Sequence, residues 1–121
     1  MSATAIYESA WNAQPHPTLM IDAQDRIARA NSAAEVYLGL SERQMSGCDL
    51  ARFTGEGALV GSMVQQVRQH GVSYAQHDIE LSWADQKPRM ANIQVAPVDG
   101  QMVLLQLQPR SIAEKMDRSL S

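Results

Sequence analysis

A few side chains in this sequence have the types needed for chemistry: three histidines, one cysteine, two aspartates three positions apart, and an asparagine at the head of a helical stretch. His16, His70 and His77 stand at least seven residues apart. Metal sites draw on closer ligand pairs backed by cysteine or carboxylate, so no metal site is read here. His70 falls at the end of a helical pattern, where the dipole favours a cation, and reads as a surface cap. Cys48 reads as a small, partly buried thiol. Asp22 and Asp25 could be paired for acid–base work, but Asp22-Ala23-Gln24-Asp25 reads as a turn, where aspartate bonds its own backbone. Asn31 reads as a helix cap rather than a ligand contact. Nucleophile, base and orienter cannot be assembled, so no catalytic residue is assigned and a stand-alone enzyme has little support.

The elements that must position these groups follow from periodicity. Ala3, Ile6, Tyr7, Ala10 and Trp11 lie on one face of a helix, which Pro15 and Pro17 stop. Leu19 and Ile21 alternate with Thr18, Met20 and Asp22 in a short strand, and a second strand runs from Ile27 to Ala30, making a hairpin. Ser32 and Glu35 fit a capping box for a helix built on Ala33, Ala34, Val36, Tyr37 and Leu38 and ended by Gly39. Ser41 to Gln44 reads as one further helical turn, and Leu50 to Gly57 as irregular. Leu59, Val60, Met63, Val64 and Val67 form the apolar face of a longer helix that Gly71 ends.

Three strands complete the chain. His77, Ile79, Leu81 and Trp83 alternate with polar neighbours, then Ala91, Ile93 and Val95 do so, and Val103, Leu105 and Leu107 share one face of the last strand. Trp83 reads as either a lid over the core or a rim residue. Asp99-Gly100 marks a hairpin of the kind whose turn needs positive φ. Pro109 breaks the sheet, and Ser111 with Glu114 opens a final helix carrying Ile112, Met116 and Leu120 four apart.

Composition bounds the rest. A chain of 121 residues and 13.3 kDa, 45% hydrophobic and 19% charged with mean hydropathy -0.27, forms one domain with its own core. Disorder as the main state is excluded. The longest apolar run is too short for a membrane span, and no secretion signal opens the chain. A net charge of -3 and a pI near 5.5 argue against a nucleic-acid surface. A single cysteine points to a reducing cytoplasm. Seven methionines are unusual; periodicity puts Met63 inside, Met20 and Met102 on the outer sheet face and Met116 on the last helix, and assigns no face to Met45 and Met90.

The expected fold is α+β: a five-stranded antiparallel sheet with helices on one face, a helix before it and the start of another after it. A space between sheet and long helix would be walled by Met63, Val67, Ile79, Ile93, Val95, Val103 and Leu105. It lacks a convergent polar cluster, so a packed core is favoured over a ligand site, with the second reading still open. Met20, Met102 and Leu104 point to the opposite face, which an antiparallel sheet with one wet side would make polar. Something covers that face, and Ile6, Tyr7 and Trp11 of the N-terminal helix, with or without a second copy, are the available cover.

The stretches Pro17-Thr18-Leu19-Met20-Ile21-Asp22, Arg26-Ile27, Ala30-Asn31-Ser32-Ala33-Ala34-Glu35 and Leu38-Gly39-Leu40-Ser41, continuing through Met45-Ser46-Gly47 and Leu50, resemble the PAS domain, a sensory module of signalling kinases. The tail from Leu104 to Arg118 is similar to the segment leaving the PAS domain of NtrB-type nitrogen-regulation sensor histidine kinases. The resemblance implies an N-terminal helix over 1–14, a PAS domain over 15–109, and over 110–121 the start of a connector (Ser111, Ile112, Glu114, Met116, Leu120) toward a kinase core. It also implies a cytoplasmic homodimer within a parent that autophosphorylates on histidine and passes the phosphoryl group to an NtrC-type response regulator. A PII-class protein would act on the region that is missing here. The fragment lacks the phospho-acceptor box and ATP lid: His70 precedes Gly71 and His77 precedes Asp78.

No cofactor is expected. Haem-binding PAS relatives use a histidine on the long helix, but His70 sits one residue before the stop. Flavin-bonding relatives set their cysteine three positions past a glycine, between asparagine and Arg-Phe, whereas Cys48 directly follows Gly47 and precedes Asp49-Leu50. The rival function is a small-molecule or redox sensor holding a ligand in the core.

Overall fold

The computed structural model describes residues 3–54, 59–82 and 88–109. Trp83 and the connector residues Ser111, Ile112, Glu114, Met116 and Leu120 lie outside them. In chain order the elements are α1 (Ala3–Ala13), β1 (Thr18–Ile21), β2 (Ile27–Ala30), α2 (Ser32–Leu38), α3 (Glu42–Met45), α4 (Ala51–Thr54), α5 (Leu59–His70), β3 (Tyr74–Leu81), β4 (Arg89–Pro97) and β5 (Val103–Pro109). The strands form one five-stranded sheet in the order β2-β1-β5-β4-β3, antiparallel throughout. The α+β class and antiparallel sheet are those expected.

The core follows from strand alternation. Leu19 and Ile21, Ile93 and Val95, and Val103, Leu105 and Leu107 are all buried on the inner face. Helix α5 closes it with Val60, Met63, Val64 and Val67, while Leu59, expected on the same face, is largely exposed at the helix start. Arg68 fastens this helix to two turns. Its side chain, only 7% exposed, pairs with Asp25 Oδ1 at 2.5 Å and donates to the carbonyls of Asp22 and Gln101.

Several local expectations are corrected. Asn31 caps α2 as its residue type predicts, and the cap is not Ser32: the Asn31 Oδ1 accepts from the amide of Ala34 at 2.9 Å. Glu35 is drawn away to accept from the amide of Glu42 at 2.8 Å, so no capping box forms there. The box forms one helix later, between Ser41 and Gln44. Val36, counted in the body of α2, is 84% exposed, and Ala34 and Leu38 face the core instead. The stretch read as irregular contains α4, which turns Phe53 inward beside Leu50. Met45, to which periodicity assigns no face, is fully buried.

Strand β3 departs from simple alternation. Its register to β4 shifts between Gln76 and Ile79, where Asp78 takes φ 57. A bulge of this kind places one extra residue in the strand. His77 is thereby exposed rather than sharing the inward face of Ile79 and Leu81. The β4–β5 hairpin forms at Asp99-Gly100 as expected, with Gly100 supplying the positive φ, 62. The closing bond runs from the amide of Val98 to the carbonyl of Met102 at 3.0 Å.

Candidate functional site

The seven residues expected to wall a cavity, Met63, Val67, Ile79, Ile93, Val95, Val103 and Leu105, are all buried and belong to one continuous apolar core. Among the described residues, one space in that core is bordered by a different set of side chains. A void of about 10 Å³ is lined by Leu19, Leu38, Leu50, Phe53, Leu81, Ile93, Leu105 and Leu107. It shares only Ile93 and Leu105 with the expected wall, because Leu50 and Phe53 come in from the segment around α4. The volume is near that of a single water, which would need two to four polar partners. The lining side chains are apolar and offer a water no such partners.

The polar candidates are dispersed. His16 in the α1–β1 loop, His70 on α5 and His77 on β3 are all exposed, and among the described residues no group of three or more His, Cys, Asp or Glu could hold a metal ion. Asp22 Oδ1 accepts from the amides of Gln24 and Arg26 at 2.9 and 3.0 Å, which is turn chemistry. Asn31 is fully buried and bridges three segments. Its Oδ1 takes the amide of Thr18 at 2.9 Å as well as that of Ala34, and its Nδ2 donates to the carbonyl of His16 at 3.0 Å. The helix-cap pattern could reveal Ala34 as a partner, but not the long-range contacts to His16 and Thr18. Cys48, half-buried, donates weakly to the carbonyl of Gln44 at 3.4 Å.

The outer side of the molecule is different in kind. Met20, Met102 and Leu104 are only half-covered there. Helix α1 has no buried residue, Ile6 and Tyr7 are 52% and 73% exposed, and Trp11 is half-buried. The apolar stripe of α1 is therefore not buried within a single copy, contrary to the simplest form of the covering expectation. Its side chains meet the body at β2: Glu8 forms two 2.8 Å bonds with Arg29, whose guanidinium lies 5.8 Å from the Trp11 ring centroid. Arg29 also donates to Glu42 Oε2 at 2.9 Å. The bonds Arg29 donates to Glu8 and then to Glu42 hold it above the usual arginine range, and the bond to Glu8 lowers the Glu8 carboxyl below its own. Periodicity does not predict this arrangement; the sequence offers only a basic residue at a polar strand position, Arg29, and an acidic one on the first helix, Glu8. At the start of β4, Arg89 stacks 5.3 Å from the Tyr37 ring centroid, and burial raises the Tyr37 hydroxyl pKa despite that cation.

Residues 5–110 match the family model described as PAS fold. The chain is 34% identical over 111 residues to the sensory histidine kinase/phosphatase NtrB of Rhodobacter capsulatus, covering 90% of this chain and 31% of that protein. It is 30% identical over 117 residues to NtrB of Rhizobium meliloti, covering 91% and 30%. Among solved structures, the PAS domain of nitrogen regulation protein NR(II) from Vibrio parahaemolyticus superposes with a TM-score of 0.76 at 24% identity, over 91% of this chain and all of that one. The chain thus spans about a third of the length of the curated relatives it matches.

Proposed function

Because the chain belongs to the PAS fold family, we propose that it is the sensory and dimerisation module of a cytoplasmic NtrB-type histidine kinase. The observation carrying this reading is the similarity to NtrB proteins over nine-tenths of the chain. In the proposed parent, a kinase core autophosphorylates on histidine at the expense of ATP and phosphorylates an NtrC-type response regulator. A PII-class protein acts on that core, and this module sets its output.

The proposed coupling is mechanical. Two copies pair through Ile6, Tyr7, Met20, Met102 and Leu104, with Trp11 at the rim. The strand ending at Pro109 hands its position to the connector formed by Ser111, Ile112, Glu114, Met116 and Leu120. A change at the interface would then alter how the two connectors cross and bias two states of the kinase. Exposed apolar residues on α1 and a half-covered apolar row on the outer sheet face support the pairing. The reading assigns no cofactor: among the described residues, the void of about 10 Å³ would take haem or flavin only by displacing core side chains.

Sedimentation of the chain with and without residues 1–13 tests the dimer. Self-association in the micromolar range, lost on removing the helix or in Ile6→Glu, is expected; a monomer at every concentration overturns it. In the full-length parent, Leu104→Glu should change autophosphorylation and transfer to the regulator. A lost dimer contact with unchanged output would overturn the coupling. Native mass spectrometry of the freshly purified chain tests the rival ligand-sensor reading.

A further inference from the structure

Helix α1 is joined to the body by charge and polar contact more than by burial. The joint converges on Arg29 of β2. Its Nη1 and Nη2 donate to Oε1 and Oε2 of Glu8, both at 2.8 Å, and its Nε donates to Glu42 Oε2 at 2.9 Å. The same Glu42 oxygen accepts from the amide of Ala30 at 2.8 Å, and the amide of Glu42 donates to Glu35. One guanidinium therefore links α1 to β2 and α3 at once, with the Trp11 ring against it. One residue after that tryptophan, Asn12 Oδ1 accepts from the amide and hydroxyl of Ser32 at 3.1 Å, tying α1 to the first turn of α2.

Two further observations bear on how firmly this joint holds. The three charged side chains are roughly one-third to one-half exposed, and pairs in that setting are weak and screened by salt. In addition, Trp11 Nε1 is buried and has no hydrogen-bond partner among the described residues. An unmet buried donor costs free energy that contact with water removes. Both features favour a helix that can leave, while the apolar inner core lies on the other side of the sheet and does not depend on it.

We propose that Arg29 is a releasable latch. It holds α1 against β2, and loss or screening of its bond to Glu8 frees α1 as a unit while the sheet stays folded. The arm to Glu42 belongs to the body and keeps Arg29 extended toward α3 after release. Combined with the pairing proposed above, the latch decides how Ile6 and Tyr7 are presented to a second copy, but the latch itself stands without that reading.

Hydrogen–deuterium exchange of the whole chain tests it, at concentrations where sedimentation finds a single species. Amides of α1 should exchange faster in Glu8→Gln, in Arg29→Met and in the unaltered chain at high salt, by up to about fivefold for contacts of this strength. Those of β1, β5 and α5 should not change. Glu42→Gln should loosen Ala30 more than α1. Unchanged α1 exchange in Glu8→Gln overturns the latch, as does acceleration of sheet and helix together. Glu8 is exposed, so this variant remains informative if Arg29→Met fails to fold. A chain that is monomeric while α1 stays protected would refute the pairing and leave the latch intact.

Discussion

The two faces of the sheet are made by the same strands and obey different rules. On the inner face, Leu19, Ile21, Ile93, Val95, Val103 and Leu105 meet α5 with almost no exposed surface. On the outer face, Met20, Met102 and Leu104 are half-covered, and the nearby α1 is fastened through Arg29. The inner face has a single way to pack and sets the stability of the domain. The outer face retains apolar surface after folding, which is the raw material of association. The proposed sensory role would call for both: a frame that does not change, and a surface whose partners can.

Substitutions can break or sharpen this contrast. The largest effect is expected for Leu105→Ala on the inner face, a loss of about 2–5 kcal/mol of stability in chemical denaturation. A loss well under that range would mean the core can collapse around the gap. Asn31→Ala should cost about 1–3 kcal/mol, because the amide of Thr18 and the carbonyl of His16 lose their buried partner. The outer face should respond differently: Leu104→Gln should leave the unfolding free energy within about 0.5 kcal/mol while weakening self-association. Equal destabilisation by Leu104→Gln and Leu105→Ala would erase the distinction between the faces.

The smallest effect concerns pH. The Glu8 carboxyl is lowered from its ordinary value of 4.5 by the hydrogen bond from Arg29. A lowered folded pKa means the contribution is complete above the unfolded value and is lost as pH falls through the folded one. Exchange of the α1 amides should therefore rise as pH drops below 4.5, after correction for intrinsic rates, and Glu8→Gln should lack that step. The same rise in Glu8→Gln would assign the acid response to another group.

Much of the frame was legible because strand alternation and helical periodicity report which side chains must leave water. Val103, Leu105 and Leu107 announced their face, and so did Val60, Met63, Val64 and Val67. What periodicity reports poorly is competition between local partners. Ser32 and Glu35 have the spacing of a capping box, yet Asn31 lies one residue earlier and Glu35 finds the amide of Glu42. Nor does alternation reveal a bulge, since His77, Ile79 and Leu81 keep their spacing while Asp78 reverses its φ. For a related reason periodicity does not bring Leu50 and Phe53 to the lining of the void: they occur in a stretch with too few residues to show a period. For α1, an apolar stripe in the sequence says that a face is apolar, and it does not say what will cover it.

The position of β5 has a mechanical meaning. It lies third of five strands, hydrogen-bonded to β1 on one side and β4 on the other. Its approach is fixed by Arg68, which grips the carbonyl of Gln101 just before the strand begins. A pull along the strand at Pro109 therefore loads both ladders in shear against an anchored far end, so many hydrogen bonds resist together, whereas an edge strand could be peeled away one bond at a time. The last strand behaves as a tie rod, and a displacement at its exit is shared with the middle of the sheet.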